Sequence, residues 1–279
     1  MGAKPQIGFM QGRLSPPVNG MIQAFPWDHW QAEFATAQAN GFGLMEWTLD
    51  QGRLHENPLM TAAGRSKISV LMQRHDVRVL SLTGDCFMQA PFYKADGAVR
   101  TVLLDDLRGV IAACAELKVR YIIVPLVDNG RLENAGQEEA LIAGLKEVEP
   151  LLVSTGVKVI FESDYPPLRL RTFIDRLPVQ YYGINYDIGN SASLGFDPVE
   201  EITTYGSRID NVHVKDRVRA GTTAPLGSGN ANFPAVFREL KRISYAGCYI
   251  LQTARATDGN HVGVLCHYRD MVVDWLKTD

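Results

Sequence analysis

Four polar side chains close successive apolar runs in the second half of the chain: Glu162 in FESD, Asp187 in YDIGN, His213 in VHVKDR and Gln252 in CYILQTAR. Two carboxylates, an imidazole and an amide oxygen form a mixed hard and borderline donor set, suited to Mn2+, Mg2+, Co2+ or Zn2+. The two carboxylates neutralise a divalent ion and leave positions open for substrate oxygens. Gln252 raises a question of its own, because an unpaired amide at the end of a buried strand costs on the order of 1–3 kcal/mol. Ligation through its side-chain oxygen answers it. Lys215 follows His213 closely and is placed either to polarise a substrate oxygen or to pair with Asp216.

Elements that hold these residues at one height are legible around them. Strand-type runs recur as QIGFM, GLMEW, VRVLSL, YIIVPLV, VKVIF, YYGINY, IDNVHV and CYIL. Between them, WQAEFATAQAN, SKISVLMQRH, VRTVLLDDLRGVIAACAEL, EEALIAGLKEVEPLLV and FPAVFRELKRI place apolar residues at helical spacing, and HYRDMVVDWLK closes the chain. Eight β-then-α units predict parallel strands joined by helical crossovers, and eight is the number that closes a (β/α)8 TIM barrel. An open doubly wound sheet is the competing α/β architecture, but QGRLSPPVNG after the first strand lacks the G-x-G-x-x-G turn. With no linker or composition break, a single domain over residues 1–279 is expected, its active site at the C-terminal ends of the strands.

The other strand ends supply the remaining candidates. Gln11, Arg13, Glu46, Asn190, Arg217, Arg255 and His261 are expected to meet the substrate, the arginines through its charged groups. LGSGN, in the loop after strand seven, offers backbone amides for a phosphate and favours an anionic sugar. Phe25, Trp27 and Trp47 are candidates for stacking on a sugar ring. Asp85 and Asp128 also end strands, with no role assigned.

Composition excludes several classes. The 279 residues are 46% hydrophobic and 21% charged, with net charge −3. No basic face for a nucleic acid follows from that balance. Four scattered cysteines without a C-x-x-C pair, no leader-like h-region and no apolar run of membrane length point to a cytoplasmic protein.

FESD, YDIGN, VHVKDR, the strand-eight segment, IGFMQGRLSPP and PLGSGNANFPAVFREL resemble the xylose isomerase-like TIM-barrel superfamily, in its sugar isomerase/epimerase branch. The resemblance spans the chain. It implies a metal held by a Glu, an Asp, a His and a second Glu, of which the first three fall on Glu162, Asp187 and His213. The fourth falls on Gln252, a departure from the pattern. In the 3-epimerases of that family the two glutamates exchange protons on opposite faces of the substrate, which an amide does not do. A one-base scheme follows, with Glu162 removing the proton next to a carbonyl to give an enediolate, and Lys215 assisting. Glu46, Lys215 and His261 are the candidates for a donor on the opposite face. The substitution also suits a metal-dependent dehydratase, lyase or hydrolase on a sugar-like substrate. The resemblance implies a small sugar or sugar phosphate as partner and barrels that pair as homodimers. A DNA-repair enzyme of the same fold would need many His ligands, and only His213 of six histidines sits in a ligand motif.

Overall fold

The computed structural model describes residues 6–277. The leader and full-span expectations fall partly on residues 1–5 and 278–279, which lie outside the described residues. Eight parallel strands close a barrel: β1 Gln6–Met10, β2 Leu44–Thr48, β3 Arg78–Thr83, β4 Tyr121–Leu126, β5 Lys158–Ser163, β6 Tyr182–Asp187, β7 Ile209–Val214 and β8 Cys248–Leu251. Each pairs with its sequence neighbours, and β8 closes on β1 with Gln6 opposite Cys248 and Phe9 opposite Leu251. A two-residue hairpin, Asp216–Arg217 with Thr223–Ala224, lies outside the barrel after β7.

Helices cover the strands for the reasons their sequences give. In Gly97–Leu117, Leu104, Leu107, Val110, Ile111, Cys114 and Leu117 recur at three- and four-residue steps and are all buried. Ala135–Thr155 starts at Asn134, whose side chain accepts from Gln137 N, and stops at Gly156, where φ is +72°. Four further helices, Asp85–Gln89, Pro167–Ile174, Ile188–Leu194 and Pro198–Tyr205, occupy stretches that carry no clear periodicity. Among the described residues no helix is long and apolar enough to cross a membrane. The four cysteines are free.

The main apolar core fills the space between strands and helices. A second, small cluster of Met10, Leu44, Cys248 and Ile250, with Leu80 against it, lies among β1, β2, β3 and β8. Alternation along the strands then sends polar side chains into the same barrel interior.

Candidate active site

Above the apolar cluster sits a polar layer. Glu46 from β2, Ser81 and Thr83 from β3, Asn185 from β6, and Asn211 and His213 from β7 are all buried and bonded to one another. The ladder register slips at Met45/Glu46 and at Ile184/Asn185. Such irregularities re-aim side chains, and both fall on members of this layer.

At the top of that layer Glu162, Asp187 and His213 converge, with one ligand atom from each lying within 4.8 Å of the others. Asp187 and His213 face each other directly in the β6/β7 ladder. His213 Nδ1 is 3.2 Å from Glu162 Oε2 and 3.9 Å from Asp187 Oδ2. Its other nitrogen, Nε2, is 2.7 Å from Glu46 Oε1. Burial pulls the imidazole towards its neutral form, but Glu46 and Glu162 together outweigh it and raise its pKa to about 10. Asn185 Nδ2 also lies 3.0 Å from Nδ1. With a proton on Nδ1 the ring donates to Glu162, and without it the ring accepts from Asn185. A cation held at this point would take the place of that proton.

The donor set fits a divalent metal ion. Its histidine is oriented from behind by a carboxylate, an arrangement typical of metal-ligating histidines. Glu162 is held ionised: burial pushes its pKa up, and His213, Lys215 and Asn185 bring it below the usual range. Burial dominates for Asp187 and raises its pKa against the pull of Lys215.

Lys215 lies inside this site. Its Nζ donates to Asp187 Oδ2 at 3.2 Å, Asn190 Oδ1 at 3.2 Å and Gln252 Oε1 at 3.3 Å. Gly189 makes room for it, since a Cβ there would lie 2.6 Å from Lys215 Cγ and 3.0 Å from its backbone carbon. Asn190 joins the parts: its Nδ2 donates to Glu162 Oε1 at 2.5 Å and its Oδ1 accepts from Arg217 Nη1 at 2.8 Å. Arg217, with Asp128, Arg131, Asp164 and Ser193, lines a cleft of about 120 Å3 beside the site. Gln252 Nε2 donates to Gln23 Oε1 at 2.8 Å, and Gln23 in turn donates to Asp85 Oδ2 at 2.6 Å.

Other candidates named from the sequence are engaged with neighbouring groups in the barrel. Glu46 lies a layer beneath the site, with no exposed surface, and is committed to His213, Ser81, Thr83 and Asn211. Arg13 and Arg255 hold a loop through backbone carbonyls. Arg13 donates to Thr253 O and Ile22 O, and burial lowers its pKa to about 9. Arg255 donates to Ile22 O and Ser15 O. Glu33, which the sequence did not single out, secures the other side of that loop through the amides of Gly12 and Leu14 and the Ser15 hydroxyl. Gln11 is fully buried and accepts from Thr48 N, which ties β1 to β2. His261 starts the last helix near Arg255, and no hydrogen bond among the described residues joins it to the cluster.

The LGSGN amides are not free for a phosphate. Gly227, Gly229 and Ala231 all donate to the Asp216 carboxylate, Ser228 N to Pro225 O and Asn230 N to Arg217 O. Asp216 is thus the anion of that loop and does not pair with Lys215. Phe25 and Trp47 are fully buried in an aromatic cluster with Trp30, while Trp27 packs on Phe25 and carries the Arg53 guanidinium 3.8 Å from its ring.

A family model, the xylose isomerase-like TIM barrel, matches residues 34–264. The chain belongs to this family. Among its curated relatives is the L-ribulose-5-phosphate 3-epimerase UlaE of Salmonella heidelberg, 25% identical over 258 residues that cover 89% of both chains. Among solved structures, the 3-keto-D-glucoside 4-epimerase YcjR of E. coli in its apo form superposes with a TM-score of 0.70 at 18% identity, covering 96% of this chain and 100% of that one. The IolI protein with a bound zinc atom superposes with a TM-score of 0.76 at 15% identity, covering 97% and 98%. At these identities the structural likenesses establish the xylose isomerase-like barrel as the fold.

Proposed function

We propose that this xylose isomerase-like barrel is a divalent-metal-dependent isomerase or epimerase of a small sugar or sugar phosphate, with Glu162 as its base. The observation that carries the reading is the convergence of Glu162, Asp187 and His213 at the ends of three adjacent strands. The names of the curated relative and of one structural neighbour both describe inversion at a sugar carbon, and the zinc of a second neighbour supports the metal. Glu162, Asp187 and His213 would hold the ion, with Gln252 Oε1 as fourth donor. When bound, the ion supplies positive charge beside a substrate carbonyl oxygen.

The protein's own groups do the rest. Glu162, kept ionised, takes the proton from the carbon next to the carbonyl, and its two amide donors, Asn185 and Asn190, fix its orientation. Lys215 presents an ammonium group to the substrate oxygens. Arg217, which donates to Gly221 O and Asn190, and Arg131, paired with Asp164, line the adjoining cleft, where the far end of the substrate would lie. Incubation with L-ribulose 5-phosphate in D2O tests the reading by NMR: one carbon-bound proton exchanges and mass is otherwise conserved. A second reading, a dehydratase or lyase, rests on Gln252 with Lys215 bonded to it, since an ammonium group can protonate a leaving hydroxyl. Loss of one water from the substrate would establish it.

Gln252→Glu provides a separate check on the fourth donor. It places a carboxylate beside Lys215 and the three ligands, and Mn2+ affinity measured by calorimetry is expected to rise about tenfold or more, since each added ligand charge tightens such sites. Unchanged affinity would remove Gln252 from the ligand set.

A further inference from the structure

We infer that Gln23 is a positioning residue for the fourth donor of the site: bonded between Asp85 and Gln252, it turns the Gln252 amide so that Oε1 faces the metal ligands. The inference rests on the metal-dependent reading above. An amide at a ligand position needs such help. A carboxylate presents an oxygen whichever way it turns, whereas a Gln side chain rotated by half a turn about its last bond presents an NH2 group, which cannot ligate a cation.

The orientation of Gln252 is set from both ends of one chain of hydrogen bonds. At one end, Lys215 Nζ lies 3.3 Å from the Gln252 atom that faces it, and an ammonium group only donates, so that atom is Oε1. The same ammonium donates to Asp187 Oδ2 at 3.2 Å, which puts Oε1 on the side of the ligands. At the other end, Asp85 Oδ2 lies 2.6 Å from Gln23. An ionised carboxylate only accepts, so Gln23 turns Nε2 to Asp85 and Oε1 to Gln252. Gln23 Oε1 then accepts from Gln252 Nε2 at 2.8 Å. Arg13 Nη2, which only donates, adds a longer contact of 3.4 Å to the same oxygen. Three groups of fixed polarity, Lys215, Asp85 and Arg13, therefore require one and the same arrangement. Reversing either amide sets donor against donor and acceptor against acceptor.

The backbone delivers Gln23 to this place. It stands in the loop after β1, where Ile22 O accepts from Arg13 Nη1 at 2.6 Å and from Arg255 Nε at 2.9 Å. Phe25 N donates to Asp50 Oδ2 at 2.9 Å, so the chain is pinned on both sides of Gln23. Gln252 is fixed at its own backbone, whose N–H donates to Val214 O at 3.1 Å. What remains to be set is the direction of its amide group, and Gln23 supplies that. The arginine clamp on the loop thus reaches the ligands through one side chain.

The test is the Mn2+ affinity of the full chain, measured by calorimetry at pH 8, where Asp85, whose pKa burial raises to about 7, is ionised. Gln23→Met, similar in size but without either polar atom, is expected to weaken Mn2+ binding about tenfold or more, the usual effect of removing a group that orients a ligand. In a Gln252→Leu background the same substitution is expected to change nothing further, because the ligand it orients is gone. Gln23→Glu combined with Asp85→Asn exchanges donor for acceptor at unchanged net charge. The amide placed at 85 donates to the carboxylate placed at 23, which still accepts from Gln252 Nε2. This double variant is expected to bind Mn2+ nearly as well as the wild type, which keeps the test decisive should Gln23→Met loosen the loop. Unchanged affinity in Gln23→Met, an equal loss in the Gln252→Leu background, or no recovery in the exchanged pair overturns the assignment. A wild-type protein that binds no Mn2+ overturns the metal-dependent reading itself, and this inference with it.

Discussion

Glu162→Gln is expected to lower turnover by a factor of about 10^2–10^4, the usual contribution of a positioned general base. The amide cannot accept the substrate proton, so deuterium exchange into substrate should disappear along with product. That joint loss separates Glu162 from a group needed only for the second proton transfer. The substitution has a structural cost as well. Glu162 accepts Asn190 Nδ2 on one oxygen and Asn185 Nδ2 on the other, and Gln offers a single oxygen. One donor then faces an NH2 group, at a cost of about 1–3 kcal/mol for the unsatisfied pair. Thermal unfolding should therefore show a lowered but cooperative transition, and a turnover loss far larger than the unfolded fraction explains. Near-normal exchange in a folded Glu162→Gln protein would remove Glu162 as the base.

The barrel itself was legible because its signals are local. Each of the eight strands is a short apolar run, and the long helices bury a stripe that repeats at three and four residues. Pro167–Ile174 and Pro198–Tyr205 escaped notice because each is only eight residues long, too short for periodicity to stand out. Glu162, Asp187 and His213 were legible as donor types at successive strand ends. Their surroundings were not. Asp216 and the amides of residues 227–231 meet through the hairpin after β7, a contact that no spacing rule encodes. Arg13 and Arg255 read as substrate arginines because both follow strands, yet the loop between β1 and the first helix needs both guanidinium groups to hold its carbonyls. Glu46 was misplaced by one layer. Strand position alone gives the wall of the barrel on which a side chain stands, whereas height depends on register, and the β2/β3 register shifts at that residue.

Glu46 therefore carries the other large expectation. Glu46→Leu should destabilise the metal-free protein by about 3–5 kcal/mol, the cost of removing one partner from a buried ion pair. Three further donors, from Ser81, Thr83 and Asn211, lose their acceptor at the same time. The effect has a pH signature whose sign follows from His213. The folded pKa of His213, about 10, is raised above the ordinary 6.5, so the ion pair contributes fully below about pH 6.5 and fades as pH rises towards 10. Glu46 itself is held below its usual 4.5, burial being outweighed by His213, Ser81 and Thr83, so its contribution is present above pH 4.5 and lost below it. The deficit of Glu46→Leu should accordingly be largest near pH 5–6.5 and shrink towards pH 10. Unfolding curves of both proteins in EDTA at pH 6, 8 and 9.5 read this directly. The imidazole also loses the acceptor that orients it, so Mn2+ affinity should fall about 10–100-fold even where the variant is folded. A deficit independent of pH, with metal affinity unchanged, would mean that Glu46 serves only the packing of the barrel interior. The pH dependence and the metal loss together would identify it as the carboxylate that sets the orientation and charge of His213.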